Sequence, residues 1–268
     1  MIILLLILLL LLYYLLTNKR RIYDRFKSRF EMIDDAMSFP TKMVYCISMP
    51  DRIEYAMEQM SKLGTAYKLL HAISPGELST LDYITISPYV YMNPFSRIYR
   101  KFTKLPVALS FFMCYYDAYV HGYESITIFE DDIMFEVSIS KIKELITEFL
   151  ESDQEILFLG YCWHKCKDKT EYKQVTPNIY QTPPESSIVC NHAMVMKSDF
   201  ISNYIHRNPF IFYVDSNDQT LSRYMVNNKT KKAIPAEAVV FQNVPLLGSN
   251  NENSNAMIRR TTCKFHSI

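Results

Sequence analysis

The sequence predicts an α/β fold because two hydrophobic periods alternate along its 268 residues. Short runs rich in β-branched and aromatic residues, typical of buried strands, occur at 43–48, 125–129 and 156–160. Apolar residues recur every three or four positions at 52–63 and 107–121, as they do in amphipathic helices. This alternation is typical of a sheet covered by helices.

Composition excludes some classes of protein. The chain is 49% hydrophobic and 21% charged, which is ordinary for a globular domain, and its formal net charge is only +1. No basic stripe is interleaved with aromatic residues, so we expect no nucleic-acid partner.

The chain begins with an unbroken apolar run, MIILLLILLLLLYYLL, followed closely by Lys19, Arg20 and Arg21. As a helix this run would be about 24 Å long, somewhat less than the hydrocarbon core of a bilayer, about 30 Å. It has neither the charged start nor the small-residue cleavage site of a signal peptide. We therefore predict an uncleaved transmembrane anchor over residues 1–18. The basic cluster after the run favours a cytoplasmic position for the rest of the chain.

The next segment, residues 19–40, mixes basic and acidic residues with little apolar period and ends at Pro40. It is predicted to be a stem, which leaves residues 41–268 for a single domain.

The domain is predicted to begin with a strand that is followed directly by a helix. Strand 43–48 leads into a helix over 52–63, which we expect to begin at a capping box formed by Asp51 and Glu54 and to end at Gly64. Residues 72–104 contain three prolines among many tyrosines, so they are predicted to be a loop that could lie over a ligand.

The segment from 107 to 136 is the most informative. A helix over 107–121 ends at Gly122, and strand 125–129 runs directly into Glu130, Asp131 and Asp132. Side chains 130 and 132 should project to the same side of the strand. Carboxylates suit Mg²⁺ or Mn²⁺, which keep part of their coordination shell for water and substrate phosphates. The alternative is a solvated acidic turn.

The rest of the chain continues the alternation. We predict a helix over 139–149, strand 156–160, an exposed excursion over 161–187, strand 188–196, helices over 199–206 and 216–226, and a last strand over 238–242. The carboxyl ends of the strands of such a sheet are where ligands bind, and this is where the three acids would lie.

These segments resemble glycosyltransferase family 25, the group of lipooligosaccharide and procollagen galactosyltransferases. The resemblance rests on VALSF at 107–111 followed by IFEDDIMFE at 128–136, on MVYCISMPDR at 43–52, on CNHAMVM at 190–196, and on Val214 with Asp215. It covers about residues 41–245. Ser48 and Phe111 stand where the family usually has Asn and His.

The resemblance implies a type A, Rossmann-like glycosyltransferase domain. It also implies transfer of galactose or glucose from a UDP-sugar to a hydroxyl of a glycan or protein acceptor, with inversion and with Mn²⁺ (or Mg²⁺). Eukaryotic relatives work in the secretory lumen, which argues against the cytoplasmic side that the charge bias favours.

The candidate site residues derive from this chemistry. Asp132 and Glu130 are the predicted metal ligands, and Arg52, Glu130 and Asp131 are predicted to bind the donor. Asp215 is the predicted general base for the acceptor hydroxyl, although an Asp before a helix can equally be a simple N-cap. Asp218 is a weaker substitute for Asp215.

Two further groups invite interpretation. Asn191 and His192 lie on a predicted strand near the acids, and Asn191 could reach sugar hydroxyls, but a buried, hydrogen-bonded strand residue is the more ordinary interpretation. Cys162 and Cys166 flank a loop with incomplete zinc-ligand spacing, so free thiols or a disulfide are favoured over zinc.

Two other functions stay open. A degenerate relative that binds glycans or partners at a membrane would explain Ser48 and Phe111, whereas the retained acids oppose it. Another metal-dependent phosphate enzyme, such as a nucleotidyltransferase or hydrolase, would need a second acidic pair or a Gly-rich phosphate loop. Neither is found in the sequence.

Overall fold

The computed structural model describes residues 5–6, 18–36, 38–79, 82, 104–161, 172–188, 191–208 and 217–243. The strands are β1 Phe30–Ala36, β2 Met43–Ser48, β3 Thr65–His71, β4 Ser125–Glu130, β5 Ile133–Phe135, β6 Ile156–Gly160, β7 Lys173–Gln174, β8 Ile179–Gln181, β9 Ala193–Lys197, β10 Lys232–Pro235 and β11 Val240–Gln242. The longer α-helices within these residues are α1 Ile53–Ser61, α2 Lys104–His121, α3 Ile139–Glu151, α4 Ser198–Arg207 and α5 Asn217–Asn227.

Nine of the described strands form one sheet in the order β1-β3-β2-β4-β9-β6-β10-β8-β7. Strands β3, β2 and β4 are parallel neighbours, as are β6 and β10. Strand β9 lies between β4 and β6 and is antiparallel to both. Consequently β2, β4 and β6 end at the same edge of the sheet, and β9 begins there. The α/β prediction is confirmed.

The core has two layers, one on each face of the sheet. Ile126 and Ile128 of β4 pack in the layer that contains α2, α4 and α5. Phe129 packs in the other layer, with α1 and α3. This division arises from the strand period of two, which sends successive side chains to opposite faces.

Residues 18–36 differ from the predicted stem. Residues 18–26 are helical, and Ile22, Tyr23 and Phe26 are buried in the core. Strand β1 then pairs antiparallel with β3 at the edge of the sheet. The charges that suggested a spacer lie on the outer side of a helix and on an edge strand, where both polar and apolar residues are tolerated.

Most of the other predicted elements are confirmed, with three differences. The excursion over 161–187 contains β7 and β8, which extend the sheet beside β10. Strands β3, β5 and β10 were not predicted. The capping box at Asp51 is wrong: a 3-10 turn, Pro50–Arg52, precedes α1, and neither helix start has a side-chain cap.

In the parts of the chain that the structure describes, no helix has the length and hydrophobicity needed to cross a bilayer. The predicted anchor over residues 1–18 lies outside the described residues except for Leu5, Leu6 and Asn18. Cys162 and Cys166 also lie outside them.

Candidate active site

The three acids lie at the edge of the sheet where β2, β4 and β6 end. Glu130 is the last residue of β4 and is paired with Ile47 of β2. On the other side of β4, the Glu130 N–H donates to the carbonyl oxygen of His192, just before β9, at 2.9 Å. Asp131 and Asp132 form the turn between β4 and β5. The predicted position of the acids is therefore observed.

Asp131 points back toward the end of β2. Its Oδ2 accepts a hydrogen bond from the Met49 N–H at 2.7 Å, and its Oδ1 lies 3.4 Å from Nη1 of Arg52. The Asp131 carboxylate thus ties the 3-10 turn Pro50–Arg52 to the acidic turn.

Arg52 is the cation among these acids. Its side chain is only 7% exposed, and its Nη1 lies 3.4 Å from Asp131 and 3.8 Å from Asp132. A buried guanidinium of this kind offsets part of the charge of the carboxylates beside it. The predicted contact of Arg52 with a nucleotide stays a prediction.

Glu130 and Asp132 share one hydrogen-bond donor, the side-chain amide of Gln242. Gln242 Nε2 is 3.5 Å from Oε2 of Glu130 and 3.2 Å from Oδ2 of Asp132. Gln242 ends β11, which pairs with β5 directly after the acidic turn. The two carboxylates therefore face the same side, as the strand period predicts, whereas Asp131 faces Arg52 and Met49.

The site holds several carboxyl groups away from water, which makes their charged forms less favourable. Burial, followed by the charges of Asp132 and Asp131, raises the pKa of Glu130 well above its usual value. Burial also raises the pKa of Asp132, against the opposing effect of Arg52. The pKa of Asp131 is raised by burial to about 6, although the Met49 N–H lowers it. A bound cation would favour the charged form of all three.

The donor set fits a hard divalent ion that takes part of its shell from substrate. In the described residues no group of three or more His, Cys, Asp or Glu side chains could hold a metal ion. Two carboxylates on one side, Glu130 and Asp132, are nevertheless the usual protein share for Mg²⁺ in phosphate enzymes, where water and phosphate oxygens complete the shell.

The predicted general base, Asp215, lies outside the described residues. Its weaker substitute, Asp218, is in the first turn of α5, and its charge contributes to the raised pKa of Glu130. The start of α5 therefore lies near the acids.

Asn191 and His192 are both buried, as expected, and His192 is hydrogen-bonded whereas the side chain of Asn191 is not hydrogen-bonded to any described residue. Nε2 of His192 lies 3.1 Å from the carbonyl oxygen of Val240, and burial lowers the pKa of the ring to about 4. Neither amide atom of Asn191 has a hydrogen-bond partner among the residues that the structure describes. The expectation of a hydrogen-bonded strand residue is therefore wrong for Asn191.

Sequence reasoning missed three side chains near the acids. They are Tyr115, whose local pattern indicates only an apolar helix face, Asn217 and Gln242. Asn217 and Gln242 lie far along the chain from the acids, and Tyr115 lies on the helix that precedes β4. Nothing in the local pattern of these residues indicates that the fold brings them to the acids.

These features define an α/β protein with an acidic, partly buried site at the carboxyl edge of its sheet. A scan against protein families matches residues 42–238 to Glycosyltransferase family 25 (LPS biosynthesis protein). The chain belongs to this family and is a glycosyltransferase. A search of curated proteins finds no match to it.

Proposed function

We propose that this glycosyltransferase transfers a hexose, galactose or glucose, from a UDP-sugar to a hydroxyl group of a glycan or protein acceptor, with inversion at the anomeric carbon. The observation that carries the proposal is the pair Glu130 and Asp132. Both carboxylates are at the carboxyl edge of the sheet and face the same amide, Gln242. Ligands of open α/β sheets bind at this edge.

In this proposal Asp132 and Glu130 hold Mn²⁺ or Mg²⁺, which supplies positive charge to the departing diphosphate. Asp131 serves a positioning role, since both of its oxygens contact the β2 end of the site. Arg52 offsets part of the negative charge of the cluster and presents a further cation beside the donor diphosphate.

The acceptor hydroxyl needs a base, and an inverting transfer needs only one. We assign this role to Asp215, which accepts the proton as the hydroxyl oxygen bonds to the anomeric carbon and the bond to UDP breaks.

Two other observations support an active enzyme. Ser48 and Phe111, which replace family residues, are both buried, at 0% and 1% exposure. Their replacement leaves all three acids in place.

The test is turnover of nucleotide sugars by the full chain, with and without Mn²⁺. We expect Mn²⁺-dependent release of UDP from UDP-galactose or UDP-glucose, and we expect Asp132→Asn to remove nearly all of it. Asp153→Asn is the matched control, because Asp153 is 66% exposed and pairs with Lys231 on the surface.

Two results would count against the proposal. Turnover that Asp132→Asn leaves unchanged would show that the metal is held elsewhere. Binding of UDP by a chain that turns over none of the nucleotide sugars would favour the non-catalytic relative instead.

A further inference from the structure

Three polar side chains near the acids are buried without partners. Tyr115, Asn191 and Asn217 are 2%, 3% and 7% exposed. The Tyr115 hydroxyl, both amide atoms of Asn191 and Nδ2 of Asn217 have no hydrogen-bond partner within the described part of the chain. Buried polar groups are normally paired, and an unpaired group costs folding free energy. Such a cost is expected where a ligand completes the pairing.

Two of these side chains lie together on the helical side of the site. Helices α2 and α5, which carry Tyr115 and Asn217, pack against each other. Burial raises the pKa of the Tyr115 hydroxyl well above its usual value, the side-chain amide of Asn217 lowers the pKa as a nearby hydrogen-bond donor, and the charge of Glu130 raises it. Tyr115 is therefore close to both. The contact between the hydroxyl and the amide does not have the geometry of a hydrogen bond.

The third side chain comes from the sheet. Asn191 directly precedes His192, whose carbonyl oxygen accepts the Glu130 N–H. Asn191 therefore lies near the end of β4, just before β9, whereas Tyr115 and Asn217 come from helices α2 and α5.

The same fold pairs buried tyrosines elsewhere. Tyr45 is 0% exposed, and its hydroxyl donates to Asp117 at 2.6 Å. Tyr23 donates to the other oxygen of the same carboxylate at 2.7 Å. The Tyr115 hydroxyl differs in this respect from the hydroxyls of Tyr23 and Tyr45.

We infer that Tyr115, Asn191 and Asn217 form a subsite for the hydroxyl groups of a pyranose ring beside Glu130. The inference rests on the proposed function and adds the residues that recognise the sugar. A phenol and two amides offer both donors and acceptors, which matches hydroxyl groups that donate one hydrogen bond and accept others. The ring belongs to either the donor sugar or the acceptor sugar.

Thr220 is consistent with this assignment. Its Oγ1 is also buried and unpartnered among the described residues. It lies three positions after Asn217 on α5, so both residues are on one side of the helix.

The test uses the full chain and three variants, Tyr115→Phe, Asn191→Leu and Asn217→Leu. Calorimetry measures binding of UDP, UDP-galactose and methyl β-galactoside in the presence of Mn²⁺. For a donor subsite we expect affinity for UDP-galactose to fall about tenfold per variant, with UDP binding unchanged. For an acceptor subsite the loss is confined to methyl β-galactoside.

The melting temperature without ligand is the second readout. The Tyr115 hydroxyl makes no well-formed hydrogen bond to the described residues, so the melting temperature of Tyr115→Phe should equal or exceed that of the wild type. Tyr45→Phe is the control, and it should melt lower because the hydroxyl of Tyr45 is bonded to Asp117. If Tyr115→Phe melts as low as Tyr45→Phe, the hydroxyl is satisfied without a sugar and the subsite is wrong.

The binding results separate the two proposals. Unchanged affinity for both sugar probes in all three variants overturns the subsite while leaving the proposed function intact. A wild-type chain that binds neither UDP nor UDP-galactose contradicts the proposed function. In that case the binding of methyl β-galactoside to the wild type and the variants still tests the subsite. If the wild-type chain does not bind this probe either, both the proposed function and the subsite are overturned.

Discussion

At the level of single residues, Arg52 joins the end of β2 to the acidic turn. It is 7% exposed and contacts Asp131 and Asp132 at 3.4 and 3.8 Å. Because both contacts are buried, the guanidinium offsets part of the charge of the two acids. The same cation would contribute to binding a diphosphate.

Arg52→Gln tests this dual role. We expect the free energy of unfolding to fall by about 3 kcal/mol, the lower end for removing one partner of a buried ion pair. The loss should stay at that end because the raised pKa values of Asp131 and Asp132 let them take up protons. Affinity for UDP should fall as well. Denaturant unfolding and UDP calorimetry give both values, and unaltered stability would contradict the ion pair.

Asp215 is the second residue whose role can be decided by one substitution. Losing a general base should slow transfer by about 10²–10⁴ with little change in melting, whereas losing a helix cap should cost about 0.5–2 kcal/mol of stability with little effect on rate. Asp215→Asn keeps most of the capping ability. We therefore expect slow transfer, near-normal donor binding and an unchanged melting temperature.

The matched control for Asp215 is Asp218→Asn, on the first turn of α5. Transfer at the wild-type rate by Asp215→Asn, together with a large loss in Asp218→Asn, would move the base to Asp218.

At the level of elements, helix α2 is fixed to the sheet by the buried Asp117. This carboxylate, 2% exposed, accepts hydrogen bonds from the hydroxyls of Tyr23 and Tyr45 and from Nζ of Lys68 at 2.7 Å. Residues 18–26, strand β2 and strand β3 therefore meet at one side chain of α2. The position of Tyr115, two residues earlier on the same helix, depends on this anchorage.

We expect Asp117→Asn to lower the free energy of unfolding by about 3–5 kcal/mol, because it leaves the Lys68 ammonium without its buried counter-charge. Tyr23→Phe, which removes one hydrogen bond to a charged group, should cost about 1.5–3 kcal/mol. Denaturant unfolding of both variants checks whether Asp117→Asn loses more stability than Tyr23→Phe. Equal stability of Asp117→Asn and the wild type would show that the network contributes nothing.

The predictable elements are those with a hydrophobic pattern of their own. Strands β2 and β6 and helices α2 and α3 have such patterns, and their bounds agree with the prediction to within a few residues. Strand β10, KAIP, is four residues long and includes a buried lysine, so only its neighbours β6 and β8 define it.

The candidate site likewise contains residues that could be predicted from the sequence and residues that could not. Glu130, Asp131, Asp132 and Arg52 could be predicted because each lies at or just after the end of a strand, and these strands end at one edge of the sheet. Gln242, Tyr115 and Asn217 could not, since their approach to the acids results from the pairing of β11 with β5 and from the packing of α5 on α2.

At the level of the whole molecule, the domain begins earlier than residue 41. Lys19 Nζ donates to the carbonyl oxygens of Ile205 and Asn208 near the end of α4, and Arg29 forms an ion pair with Glu77. The residues that were predicted to separate an anchor from the domain are thus part of the packed structure. An anchor over residues 1–18 would hold the domain directly at the bilayer.

Two truncations test this arrangement. Removing residues 1–16 should release the protein from membranes and leave its melting temperature unchanged. Removing residues 1–37 should lower the melting temperature strongly, because it deletes β1, exposes the edge of β3 and takes Tyr23 from Asp117. Carbonate extraction and thermal unfolding measure the two effects. Equal melting of both truncated chains would contradict the packing of residues 18–36, and persistent sedimentation of the shorter truncation would contradict a single anchor.

The central claim is that Asp132 and Glu130 bind a divalent cation together with the donor diphosphate. Its most direct test is calorimetric titration of Mn²⁺ into the full chain saturated with UDP, for the wild type, Asp132→Asn and the surface control Asp153→Asn. We predict that Asp132→Asn weakens Mn²⁺ binding at least about tenfold, because one of two charged ligands is lost, while Asp153→Asn binds as the wild type does. Equal Mn²⁺ affinity in the wild type and Asp132→Asn would contradict this claim.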